Sequence, residues 1–157
     1  MTQDEIEEIA FKWTGKRSAR NVDADTFMEA CERGDISFVR TALEHNKSLA
    51  NASDKSGITA LMCATRDGHK DIAKLLLNEG ANVNAVDEFE MTPLMRSVGD
   101  NRDFPEVVQL LLEAGAYVNY TSKTFQQTAL DMAQIGGLEE SIAILKSWGG
   151  VKANTIQ

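Results

Sequence analysis

The stretch LLLNEGANVNA at residues 75–85 returns, slightly altered, as LLLEAGAYVNY at 110–120. Ahead of these copies, GITALMCA (57–64), EMTPLMRS (90–97) and QQTALDMA (126–133) also match one another. Aligned on Thr59, Thr92 and Thr128, the copies are spaced by 33 and 36 residues. A fainter copy, FMEACERGDISFVRTAL (27–43), aligns with LMCATRDGHKDIAKLLL (61–77), with Gly34 falling on Gly68. LANASD (49–54) then parallels VNAVD (83–87). A unit this short cannot bury its apolar face alone, so neighbouring units must stack into one continuous core. Four units tile the chain, with bounds near 23–53, 54–86, 87–121 and 122–152.

Each unit has the same grammar. A threonine precedes a short helix, where its hydroxyl can accept from the free N–H groups of the first turn. Apolar residues follow at helical spacing, as with Leu61, Cys63 and Ala64. A glycine closes that helix and reverses the chain. A second helix, richer in Leu and Ile, ends at Gly80 or Gly115, which suit the left-handed position after a helix. An extended run into a turn completes the unit.

The segment DKSGITALMCATRDGHKDIAKLLLNEGANVNA (54–85) resembles an ankyrin repeat almost residue for residue. The resemblance covers about 130 of the 157 residues and recurs at the family's period. It implies an all-α solenoid of helix-turn-helix pairs with projecting hairpin-like loops. Departures from the family pattern are informative. Its usual His after Pro-Leu is replaced by Met62, Met95 and Asp131, and Pro93 is the one proline in that motif. The turn glycine, Gly57, becomes Glu90 and Gln126 in the next two units, which predicts a different turn there because other residues disfavour positive φ. The third unit carries a two-residue insertion in GDNRDFPE (99–106), which predicts a bulged helix-to-helix turn with Pro105 opening the second helix.

Terminal repeats need a polar outer face. Residues 1–22 read as an amphipathic helix and a basic connector. Ile6, Ile9, Ala10 and Trp13 share a face, Thr2 and Glu5 have capping-box spacing, and Gly15 can end the helix. Ile9 and Trp13 are expected to pack over the open end of the first repeat. The alternative is a docking helix flanked by Lys16, Arg17 and Arg20. Trp148 can seal the last repeat or mark a contact site. Residues 153–157 read as frayed.

Charge and composition bear on partners. Sixteen Lys and Arg against 24 Asp and Glu give a net charge of −8. The first 21 residues are balanced, so the excess lies beyond them. A surface of this sign disfavours nucleic acid and anionic membranes. No run approaches the roughly 18 apolar residues of a membrane span, and the charged start lacks the apolar region of a secretory signal. The expected location is cytoplasmic. Cys31 and Cys63 fall inside apolar helical patterns without metal-ligand spacing and read as buried thiols.

Catalysis needs a nucleophile, base or metal within mutual reach. His69 sits at the repeat's Gly-His position and is expected to bond loop backbone. His45 sits where it complements a helix dipole. Asp100, Asp103 and Glu106 could hold a cation only weakly, without the ligand order of a calcium loop. No catalytic residue, cofactor or metal site is assigned, and an enzyme is a remote alternative.

Binding remains. The family resemblance implies protein partners that meet the hairpin tips and the exposed side of the first helices. Carried onto this chain, those contact positions are Lys55, Ser56, Ile58, Arg66 and Asp67 in the second unit. They are Glu88, Phe89, Met91, Gly99 and Asp100 in the third, and Thr124, Phe125, Gln127 and Ile135 in the fourth. Ile58, Phe89, Met91, Phe125 and Ile135 are apolar where solvent is expected, and would form an interface patch. The competing reading is that Phe89 and Phe125 stack on each other to steady loops without glycine. The expected function is a monomeric, non-catalytic protein-binding module, either a scaffold or an inhibitor that occludes an enzyme or toxin. Its partner is expected to carry a basic surface.

Overall fold

The computed structural model describes residues 1–14 and 21–156, without the side chains of Glu7, Ala10, Phe11, Trp13 and Thr14. After α1 (Gln3–Thr14), helices come in pairs: α2 (Ala24–Arg33) with α3 (Ile36–His45), then α4 (Ala60–Arg66) with α5 (Lys70–Asn78). The series continues with α6 (Pro93–Ser97) and α7 (Pro105–Glu113), then α8 (Ala129–Gly136) and α9 (Glu139–Ser147). Short 3-10 turns cover Lys47–Asn51 and Ala153–Thr155. Among the described residues the only β pairing is two isolated bridges, Ser53 with Thr59 and Ser122 with Gln127. The architecture is an all-α ankyrin-type solenoid.

Stacking runs in two rows. The first helices α2, α4, α6 and α8 pack in order, and the second helices α3, α5, α7 and α9 form a parallel outer row. The repeat register explains the core. Phe27, Leu61, Leu94 and Leu130 hold one equivalent position, and Ala42, Leu76, Leu111 and Leu145 another; all are buried. Replacing one of these leucines with Ala would cost about 2–5 kcal/mol. Cys31 and Cys63 are buried free thiols. Burial pushes Cys31 up to about 12, with Cys63 adding to it. Burial likewise pushes Cys63 up to about 11.

The helix ends follow the sequence grammar. Thr59, Thr92 and Thr128 each accept a hydrogen bond from the backbone N–H three residues on. The residues that replace the family's His partly rebuild its network. Asp131 accepts from the Thr128 N–H and hydroxyl and from the Ala153 N–H, at 3.0, 3.0 and 2.8 Å. Met62 offers its sulfur to the Thr59 N–H at 3.4 Å. At the N-terminus, Thr2 and Glu5 form the expected reciprocal cap. Ile6 and Ile9 are exposed, so the packing of Ile9 over the first repeat is not found. The side chain of Trp13, with Gly15, Lys16, Arg17 and Arg20, lies outside the described residues.

One expectation about the turns is overturned. Glu90 (φ 56°) and Gln126 (φ 53°) adopt the same left-handed conformation as Gly57 (φ 77°). The surrounding hydrogen bonds impose it. Asp87 Oδ1 accepts from the N–H groups of Phe89 and Met91, just as Asp54 accepts from Ser56 and Ile58. Those bonds close the hairpin around its third residue, and the local strain is borne.

Two further systems lock neighbouring repeats. Asn51, Asn84 and Asn119 each donate to the carbonyl of a glycine closing the next helix pair, Gly80, Gly115 and Gly149. Each also accepts from a backbone N–H beyond that glycine, at 2.8–2.9 Å. The insertion supplies the second lock. Asn101 takes a left-handed φ of 55° and Pro105 opens α7 as expected. Arg102 reaches back to Asp67 at 2.8 Å and to the Arg66 carbonyl at 3.2 Å. Asp103 reaches forward to the N–H groups of Glu140 and Ser141 and to the Ser141 hydroxyl. Ser141 stands at a buried position filled by Ile72 and Val107 in the preceding repeats, so Asp103 satisfies a hydroxyl that would otherwise be stranded in the core.

Candidate functional site

The candidate contact positions divide by environment. Met91 is only 5% exposed and belongs to the core, which corrects its expected outward position. The left-handed turn at Glu90 folds the chain back, so the residue after it points inward. Ile58, one past Gly57, is likewise half-buried against the core. Lys55, Glu88, Gly99, Asp100 and Thr124 are exposed; Ser56, Arg66, Asp67 and Gln127 are half-buried.

Three apolar groups do face outward: Phe89 at 44% exposure, Phe125 at 49% and Ile135 at 73%. The two phenylalanines precede the left-handed residues Glu90 and Gln126, which gives them equivalent places on adjacent hairpins. A single hydroxyl joins them. Ser122 Oγ donates to the Phe89 carbonyl at 3.2 Å and accepts from the Phe125 N–H at 3.3 Å. The hairpins are tied elsewhere too: the Glu88 N–H donates to the Ser56 carbonyl at 2.8 Å, and the Lys123 N–H to Glu90 Oε2 at 2.7 Å. Behind Phe89, the Arg96 guanidinium lies 6.0 Å from the ring centroid. That guanidinium is itself held by the buried Asp87, with Nε 2.9 Å from Oδ2. Phe89 is therefore buttressed by a cation fixed in place.

At the other end of the first helices from the hairpins, the helix-to-helix turns form an ion ladder. Arg66 bonds Glu32 of the first repeat and Asp67 of its own. Arg102 pairs with Asp67 at 2.8 Å and Asp100 at 3.6 Å. Burial tends to raise the Asp67 carboxyl, but hydrogen bonds from Arg102 and Arg66 outweigh it and hold the group below the usual carboxylate range. Asp100 and Asp103 are thus engaged by cations and by a helix N-terminus. Among the described residues, no group of His, Cys, Asp and Glu is arranged to hold a metal.

The histidines fill structural roles. His69 Nε2 lies 2.8 Å from the Glu32 carbonyl, which accepts from it across the repeat boundary. His45 Nδ1 lies 2.8 Å from the Thr41 carbonyl in the last turn of its helix. In the third repeat Phe104 takes the place of His69 and crowds Gly68, where a Cβ would meet the ring at 2.5 Å. Among the described residues, no helix is long and apolar enough to cross a membrane.

The Ser122 bridge and the ion ladder escaped the sequence reading. Ser122 stands where the other hairpins have Asp54 and Asp87, a substitution visible in the repeat alignment. The ladder joins residues about 34–36 apart, with no local signature.

Comparison with known proteins agrees with this geometry. Residues 27–122 match the profile of Ankyrin repeats (3 copies). The chain is 37% identical over 92 residues to the ankyrin repeat protein YahD of Escherichia coli (strain K12), covering 55% of this chain and 45% of that protein. It is 35% identical over 111 residues to the ankyrin repeat protein FPV014 of fowlpox virus (strain NVSL), covering 68% and 25%. It is 35% identical over 79 residues to the human NAD-capped RNA hydrolase NUDT12, covering 50% of this chain and 17% of that protein. The chain thus spans less than half the length of these relatives. Ankyrin repeats are generally protein-interaction modules and typically non-catalytic. With its repeat period, paired helices and matching profile, this chain belongs to the ankyrin repeat family.

Proposed function

We propose that this protein is a monomeric, non-catalytic module that binds a protein partner on the face formed by the third and fourth hairpins. The observation that carries this reading is the pair of outward phenylalanines, whose backbones are joined through Ser122, with the Phe89 ring buttressed by Arg96. Hairpins held together in this way lose little backbone freedom on binding. Two half-exposed rings offer roughly 200 Å² of apolar surface, worth about 5 kcal/mol if a partner covers it fully. That is enough to anchor a contact that surrounding polar groups then complete. Ile135, exposed on α8 of the same repeat as Phe125, extends the apolar surface. Lys55, Glu88 and Thr124 stand at the tips as rim positions.

The test is the double substitution Phe89→Ser/Phe125→Ser, followed by pull-down and by thermal unfolding. Loss of partner binding with the melting temperature held supports the reading. Retained binding with lowered stability would show that the rings serve the hairpins alone. An assay of the captured partner's own activity separates an occluding inhibitor from a scaffold.

A further inference from the structure

We infer that the outer row of helices carries a second docking surface, a groove over α7 that takes an amphipathic α-helix of a partner protein, acidic along one edge and basic along the other. This surface lies apart from the hairpins and uses none of their residues. α7 packs between α5 and α9 and forms the floor. Gln109 on α7 is half-buried, while its equivalents, Lys74 on α5 and Ala143 on α9, are exposed. The groove holds about 500 Å³. Pro105, Leu110 and Ile144, all half-buried, give it an apolar base. Mid-helix backbone groups are spent within their own helices, so this surface offers side chains alone. The fitting occupant is a segment whose backbone bonds are also internal, an α-helix with an apolar stripe.

Charge complementarity sets the edges of that helix. Lys70 and Lys74, one turn apart on α5, line one wall. Glu106 and Glu113 on α7 and Glu140 on α9 line the rest. Among the described residues, neither lysine has an ion-pair partner, and nor does Glu106 or Glu140. Two of these charges stand at the unfavourable end of their helix. Lys70 is the first residue of α5, where the dipole disfavours a cation, and Glu113 is the last of α7, where it disfavours an anion. Lys70 and Lys74 also repel each other across one turn. Helix stability accounts for neither placement, and a partner helix with one edge of each sign answers both. Gln109 Nε2 donates to Glu113 Oε1 at 2.7 Å and holds that carboxylate at the rim. Asp71, the other charge at this end of α5, lines the adjoining groove with Ile36 and His69.

The probe is a labelled, alanine-based helical peptide of about 18 residues with a Leu stripe, Glu along one edge and Lys along the other. Two control peptides carry Glu on both edges or Lys on both. Turning a helix end for end exchanges its edges, so the two-sign peptide can always find the matching direction. Affinities for the full chain are read by fluorescence polarisation at about 100 mM NaCl. The two-sign peptide should bind at least about fivefold more tightly than either control. Lys70→Glu/Lys74→Glu, checked for folding by circular dichroism, makes both walls acidic and should move the preference to the all-Lys peptide. Phe89→Ser/Phe125→Ser should leave all three affinities within about twofold, so this surface and the hairpin face stand or fall separately. Absence of binding, equal binding of the three peptides, or a preference that survives the lysine reversal would overturn the inference. So would light scattering that shows a mass rising with concentration and lost in Lys70→Glu/Lys74→Glu, since the occupant would then be a second copy of this chain.

Discussion

Gln126 offers a direct measure of the strain held in the hairpins. Its φ is 53°, in a region where an L-residue costs roughly 1–2 kcal/mol. Its backbone N–H bonds the Ser122 carbonyl at 2.7 Å, a contact that glycine would keep. Its side chain is exposed. Gln126→Gly should therefore recover the strain and lose only the greater freedom of glycine in the unfolded chain, roughly 0.5–1 kcal/mol. The expected net gain is about 0.5–1 kcal/mol, or about 1–4 °C in melting temperature at this size. Glu90 provides the control. It has nearly the same φ, 56°, but its carboxylate accepts the Lys123 N–H at 2.7 Å, so Glu90→Gly should come out near zero. Gly57 runs the test in reverse. A Cβ there would sit 3.2 Å from the Asp87 Cα at a φ of 77°, and Gly57→Gln should cost about 1–2 kcal/mol. Urea unfolding followed by circular dichroism gives all three midpoints, and the slope should not change. A clear loss of stability in Gln126→Gly would refute the claim that its left-handed backbone is strained.

Four other measurements bear on the stack. Asn84→Ala removes two hydrogen bonds between the second and third repeats and should cost about 1–2 kcal/mol in the same urea assay. Asp103→Ala deprives the first turn of α9 of its cross-repeat acceptor and strands the Ser141 hydroxyl, for about 2–3 kcal/mol and earlier loss of amide protection in the fourth repeat. For Asp131, burial raises the carboxyl, but hydrogen bonds from Thr128 and Ala153 and the charge of Lys152 outweigh it, leaving the group below its ordinary 3.8. Its stabilising contribution is therefore full above the unfolded value and lost as pH falls through the lowered folded value, so Asp131→Asn should flatten the stability profile on the acid side of pH 4. Cys31 and Cys63, pushed up to about 12 and about 11, should react with a disulfide reagent at pH 8 only when denaturant opens the fold.

What the sequence makes legible here is what a repeat makes local. The threonine caps, the closing glycines and the Pro105 helix start each depend on residues within a few positions, and the register recovers them. Phe89 and Phe125 are legible for the same reason, since the register places them at equivalent tips. Met91 is not. Its direction depends on the left-handed turn at Glu90, and glutamate carries no intrinsic preference for that conformation. The ion ladder is also illegible, because Arg66 and Arg102 each reach a carboxylate in the repeat before their own. Asn51, Asn84 and Asn119 recur at the repeat period, yet their clamp joins one repeat to the next and shows only when the helices are stacked.

The two-residue insertion also bears on how the protein could be altered. Arrays of this kind are often treated as beads whose energies add between neighbours, so that one bead can be exchanged for another. Here Arg102 and Asp103, side by side, hold the second and fourth repeats in opposite directions. A consensus repeat spliced into the third position would carry neither residue. It would release Asp67 from one of its two cations and leave the Ser141 hydroxyl unanswered within the core. The third repeat is the keystone of its row, and a change confined to its sequence would be felt on both sides of it.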